Sequence, residues 1–176
     1  LTPRPQFYGR GNYQEEFEKE FNGPDIFAKQ FFGERFSSED VLSYKPDITI
    51  DNRTDLNIGG PKVELIPARG GETPDAMLIY LPDEKVMFMG DVIMPYLGAP
   101  FAEEGDLQGL LDALDTVVSR NPQHLLHGHE PLTRVFNSPV ILGHLKTDFA
   151  WLRDQVLTAI RRGDERYDEL SAELAH

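Results

Sequence analysis

Residues 70–91 constrain this chain more than any other stretch. Met77-Leu78-Ile79-Tyr80-Leu81 is a short apolar run, Pro82-Asp83-Glu84-Lys85 is turn chemistry, and Val86-Met87-Phe88-Met89 is a second apolar run. Two such runs joined by a polar turn read as a β-hairpin. Glu72 stands before the first strand and Asp91 after the second. A hairpin folds back on itself, so its outer ends meet. The two carboxylates are therefore expected at one sheet edge, close enough to share a cation. A third candidate, His129 in His127-Gly128-His129-Glu130, again follows an apolar run.

The flanking sequence supplies layers for that hairpin. Residues 62–67 alternate Val63 and Leu65 with Lys62, Glu64 and Ile66, a strand with one buried and one partly wet face. Upstream, residues 48–50 form a short strand, and residues 56–58 are expected to pair back on it through a turn at Asn52-Arg53-Thr54-Asp55. Leu107, Leu110, Leu111, Leu114 and Val118 make one stripe of a helix over 106–120, capped by Asp106 and stopped by Asn121-Pro122. Residues 124–127 are then a short strand. A long helix over 139–162 carries the seam Ile141, Leu145, Phe149, Leu152, Val156 and Ile160, and Gly163 ends it. The organisation follows: an N-terminal arm and aromatic-rich helical segment over 1–45, a sheet-bearing half-domain over 46–138, and C-terminal helices over 139–176. Within the first part, 1–12 is an extended arm, 13–21 a short helix, and Phe27, Phe31, Phe32 and Phe36 cover a core or cleft wall.

Composition narrows the function. The net charge of −13 argues against nucleic acid or an anionic membrane as partner, and no apolar run approaches the ~20 residues of a membrane span. With no cysteine, disulfides and thiolate metal sites are excluded, and a soluble cytoplasmic or periplasmic setting is left open. Carboxylate oxygen and imidazole nitrogen remain, the ligands that suit zinc, manganese or iron. Taken singly, Glu72, Asp91 and His129 would each be unremarkable. Their common place at strand ends makes them a constellation. His124 and His144 are read as structural.

That order of motifs resembles the metallo-β-lactamase-fold hydrolases. Members carry His-x-His-x-Asp-His, then a Gly-His-Thr-Pro-like loop, then Phe-x-Gly-Asp after a strand, then Gly-His after a later strand. This chain has Gly71-Glu72-Thr73-Pro74, Phe88-Met89-Gly90-Asp91 and Gly128-His129-Glu130, a likeness over roughly residues 46–136. Glu72, where most members have histidine, is similar to the alkylsulfatase-like branch, as are residues 146–163. That branch carries Arg-Gly-Ala where this chain has Leu97-Gly98-Ala99. An arginine that would grip an anion is missing, so sulfate is the less favoured ester.

The resemblance implies an α/β layered fold: the C-terminal half of an αββα sandwich, a mixed sheet with helices on one face. It implies two divalent metal ions, zinc first, held in part by Glu72, a bridging Asp91 and His129. Their chemistry would be hydrolysis of an ester-like small-molecule substrate by an activated hydroxide. His127, Thr73 and Glu130 would orient ligands or substitute for one, and Arg134 could contact an anion. The His-x-His-x-Asp-His motif is absent, and residues 1–45 hold no histidine. Leu1-Thr2-Pro3-Arg4-Pro5 has neither an initiator methionine nor a signal-peptide pattern, which suggests a processed product or a fragment. The 176 residues alone are then expected to bind metal weakly or not at all and to be inactive, with the missing half or a homodimer as partner. The alternative is a metal-free binding or structural module that keeps the fold.

Overall fold

The computed structural model describes residues 4–16, 45–71, 73–93, 106–128 and 138–163. Two short strands, β1 (Tyr8–Gly9) and β2 (Ile48–Thr49), pair in parallel. Five more form one sheet in the spatial order β3 (Thr54–Asn57), β4 (Lys62–Pro67), β5 (Met77–Leu81), β6 (Val86–Gly90) and β7 (His124–His127). Pairing is antiparallel from β3 to β6 and parallel between β6 and β7. Helix α1 (Leu107–Arg120) makes the crossover, and α2 (Pro139–Arg162) follows β7. The sheet is therefore mixed, as expected.

Local chemistry sets most of these boundaries. In α1 the Asp106 carboxylate accepts from Gly109 N at 2.5 Å, satisfying a helix N–H that has no partner within the helix. Asn121 ends it in the left-handed region, φ 46°. Gly163, φ 68°, ends α2 in the same way. The hairpin turn places Lys85 at φ 53°, and its carbonyl accepts from Gln123 N and His124 N, so the hairpin tip seats the start of β7.

The helices share one face of the sheet. Leu78, Met87, Met89 and Leu125 pack there with Leu110, Leu114, Val117 and Leu142. Lys146 pairs with Asp115, and Arg153 Nη1 donates to Gln108 Oε1 at 2.7 Å. These contacts run in opposite order along α1 and α2, so the two helices are antiparallel. On the other face, Ile50, Val63 and Leu65 form a second cluster with Tyr8, Ile48 and Leu56. Phe88 and Leu126, paired in register on that face, stay 41% and 39% exposed.

Four expectations change. The arm is extended, but it also pairs, as β1. Residues 54–57 turn toward β4 through Gly59-Gly60 and not back onto β2, which is taken by β1. Of the α2 seam, Leu145 and Phe149 pack on the core beside Leu142, while Leu152, Val156 and Ile160 are exposed and Ala159 is the buried residue of the distal turns. Glu64 lies on the helix face opposite Tyr80 and is 5% exposed, not partly wet. Arg53 Nη2 meets its Oε1 at 2.9 Å, and Arg120 donates to its Oε2 from Nη2 at 3.0 Å and Nε at 3.2 Å. Two guanidiniums offset the desolvation that would otherwise forbid a buried carboxylate. The short helix at 13–21 is described only through its first turn, 13–16, and the phenylalanines at 27–36 lie outside the described residues.

Replacing Arg120 by Met should cost about 1.5–3 kcal/mol in a denaturant titration, the range for a hydrogen bond to a charged group. Replacing the half-exposed Arg53, which makes one contact to Glu64 where Arg120 makes two, should cost less. Equal losses would exclude the burial argument. At the other ribbon, Asp47 accepts from Phe7 N at 2.8 Å and from Arg4, which together hold its carboxyl below the usual carboxylate range, the backbone bond contributing most. A group with a lowered folded pKa stabilises above its unfolded value and loses that contribution as the pH falls through the folded one. Acidification below the usual carboxylate range should therefore lower the protection of the Phe7 and Ile48 amides relative to their intrinsic exchange rates, and Asp47→Asn should remove that response.

Candidate metal centre

Strand direction decides which ends meet. β4 and β6 are both antiparallel to β5, so they run the same way, and β7 is parallel to β6. The chain leaves all three strands at one edge: at Ala68-Arg69-Gly70-Gly71, at Asp91-Val92-Ile93 and at Gly128. Of the residues that resemble metal-ligand motifs, Asp91 stands in one of these exits, and the other two exits end at Gly71 and Gly128, the sequence neighbours of Glu72 and His129.

Within that edge the backbones touch. Gly71 has φ 84°, and a Cβ built on it would lie 2.3 Å from Val92 O. A Cβ on Gly128 would lie 2.1 Å from Asp91 Oδ1, and Gly128 N donates to Gly90 O at 2.8 Å. No side chain fits at either position. The β6 ladder slips between Phe88 and Gly90, and Gly90, φ 54°, turns the chain so that Asp91 faces Gly128. Gly70 rests on the first turn of α1, where its Cβ would be 2.0 Å from Leu110 N, and Arg69 O accepts from Asp106 N at 3.2 Å. Sheet and helix together thus fix the loop after β4.

Asp91 is half-buried at the end of β6, with its Oδ1 shielded from solvent. His127 is 8% exposed, on the helix side with Leu125, and β7 ends there. Thr73 Oγ1 donates to Asp75 Oδ1 at 2.6 Å, within its own loop. His124 and His144, read as structural, are exposed and belong to no core. Glu72, His129, Glu130, Arg134 and Leu97-Gly98-Ala99 lie outside the described residues. Among the described residues no three His, Asp or Glu side chains come together as a cation site.

Asp91 is the described ligand candidate at this edge. Asp91 is a hard oxygen donor, and Gly71 and Gly128, the neighbours of Glu72 and His129, are the positions at which the other two loops meet Asp91-Val92. Residues 6–129 match the family model described as the metallo-beta-lactamase superfamily. The chain belongs to that superfamily. The matched span begins well upstream of residue 46 and takes in part of the N-terminal arm. Members of this superfamily commonly bind divalent metals.

No curated protein sequence matches the chain significantly. Among solved structures it is similar to a double mutant of the sec-alkyl sulfatase PisA1, at 17% identity and TM-score 0.64, over 96% of this chain and 31% of that one. A structure of PisA1 from Pseudomonas sp. aligns at 22% identity and TM-score 0.51, over 68% of this chain and 20% of that one. A metallo-beta-lactamase family protein from Thermus thermophilus aligns at 17% identity and TM-score 0.54, over 96% of this chain and 60% of that one. The chain thus spans 60% or less of each of these three. At such identities the likeness is one of fold.

One residue the sequence reading passed over is Arg10, whose guanidinium reaches the loop between β4 and β5. Its signal was the run Gly9-Arg10-Gly11, a single long cation between two bare positions.

Gly128→Ala should cost about 1–3 kcal/mol, as an overpacked site does. Combined with Asp91→Ala, which removes the struck carboxylate, it should cost measurably less, a coupling of about 0.5–3 kcal/mol in a double-mutant cycle. Additive losses in denaturant titrations would mean that Gly128 does not crowd Asp91.

Proposed function

We propose that this chain is part of a metal-dependent hydrolase acting on an ester-like small-molecule substrate. The observation that carries the reading is the meeting of three strand exits at Asp91-Val92, at backbone distances that tolerate only glycine at 71 and 128. In this reading Asp91, Glu72 and His129 hold the cations, zinc being favoured by the mixed oxygen and nitrogen donors. A divalent cation bound there supplies Lewis acidity and a nucleophile usable at neutral pH. Thr73 and Glu130 steady the ligand loops, His127 supports its loop from the helix side, and Arg134 meets an anionic part of the substrate. Leu97, standing where the alkylsulfatase-like pattern has arginine, weakens the case for a sulfate ester and leaves other esters ahead.

Three ligands, two of them anionic, make an incomplete site for two cations. The remaining donors would come from a further segment of the same protein or from a second copy. Phe88 and Leu126, exposed on the face away from the helices, give such a segment an apolar surface to cover.

Metal analysis of the full-length protein purified without chelator is the test. The expected result is one to two divalent ions per chain, lost on Asp91→Ala with the fold retained by circular dichroism. A protein that holds no metal as purified and takes up none on reconstitution would instead be a metal-free module of the same fold.

A further inference from the structure

The N-terminal arm reaches the candidate site through one side chain. Arg10 Nη1 donates to Ala68 O at 2.7 Å and to Ala76 O at 3.0 Å. Ala68 N also donates to Ala76 O at 2.9 Å. These bonds close the base of the loop that leaves β4 and enters β5. The Arg10 side chain is 10% exposed, and its Nε stands 3.8 Å from Asp51 Oδ1. Asp51 in turn accepts from Gly11 N at 2.9 Å.

The arm is shaped for this contact. A Cβ on Gly9 would lie 2.7 Å from Pro46 Cγ, and one on Gly11 would lie 2.7 Å from Asp51 Oδ2. Bare positions on both sides let the backbone settle deep enough for Arg10 to reach under the sheet edge. The arm does not need Arg10 in order to stay in place. Pairing of β1 with β2, the Arg4–Asp47 ion pair, the Phe7 N–Asp47 bond and the packing of Tyr8 already hold it. The Arg10 bonds fall instead on the two legs of the loop. One leg is also fixed by Gly70 on α1, whereas the leg after residue 72 has the short Thr73–Asp75 bond within itself. A cationic donor that bonds both legs sets the distance between them.

We propose that Arg10 is a positioning residue of the candidate metal centre: it fixes the loop over residues 69–75, in whose sequence Glu72 stands. The N-terminal arm is then a working part of the site as well as a cover for the core. The link to the cation rests on the metal reading given above, whereas the restraint on the loop does not.

Hydrogen exchange and metal affinity, measured on the same full-length protein, separate the two. Arg10→Met keeps the buried stem and removes the donors. Exchange over residues 69–76 should rise about tenfold or more, with β5 and β6 unchanged. The metal dissociation constant should rise about tenfold to a hundredfold, the range for groups that orient ligands from behind. Arg10→Lys, which keeps a cationic donor on a shorter stem, should recover part of both, and it serves if Arg10→Met does not fold. Arg4→Met, which loosens the same arm elsewhere, should leave residues 69–76 as they are. Unchanged exchange in Arg10→Met, or an equal rise in Arg4→Met, would overturn the proposal. So would a loosened loop with unaltered metal affinity. A wild-type protein that takes up no metal, while its loop still loosens in Arg10→Met, would sink the metal reading and uphold the restraint on the loop.

Discussion

The candidate edge depends on backbone lying directly against backbone. β4, β6 and β7 point the same way, so the chain must leave all three in one narrow region. There is room for this only because Gly70, Gly71 and Gly128 carry no Cβ where Leu110, Val92 and Asp91 pass. Each glycine loses more conformational entropy on folding than another residue would, a cost of roughly 0.5–1 kcal/mol relative to alanine in regular structure. The sheet and the apolar cluster under α1 offset that cost. In return Gly70, Gly71 and Gly128 are held in place at the ends of the strands.

Glu64 shows what the opposite end of the molecule is built for. It sits under the C-terminal end of α1, where Tyr80 Oη also reaches Arg120 O at 3.5 Å. Both its oxygens are matched by guanidinium donors. The exit edge differs in kind. It gathers backbone turns and a half-buried acid, and Arg10 reaches it from a distant part of the chain. One pole locks strand to helix, and the other holds loops at a set spacing. A sheet that joins the two transmits rigidity without needing any contact between them.

Membership of the metallo-beta-lactamase superfamily fits this division. A layered sheet needs only apolar alternation, caps and a few glycines at close approaches, which is why folds align at identities of 17–22%. What a member acts on is decided by the side chains of its site and not by its fold. By the resemblance of the motifs, Glu72 stands where most members carry histidine and Leu97 where the alkylsulfatase-like branch carries arginine.

The hairpin 77–90, strand 62–67, both helices with their caps, and strand 124–127 were all legible in the sequence, because each is set by spacing and turn chemistry within a few residues. That the chain before the hairpin meets the chain after it was legible too, as Gly71 against Val92 shows, since it follows from folding one ribbon. Four things were settled only in three dimensions. β1 took β2 as its partner and left β3 to β4. Glu64 was buried by arginines on either side of it in sequence, eleven and fifty-six residues away. The distal α2 seam, Leu152, Val156 and Ile160, was left exposed while Ala159 was buried. Arg10 found carbonyls fifty-eight and sixty-six residues downstream. Local pattern determines which segments are helix or strand and which face is apolar. Pairing partners and long-range charge contacts are chosen by competition among surfaces that exist only after those segments have formed.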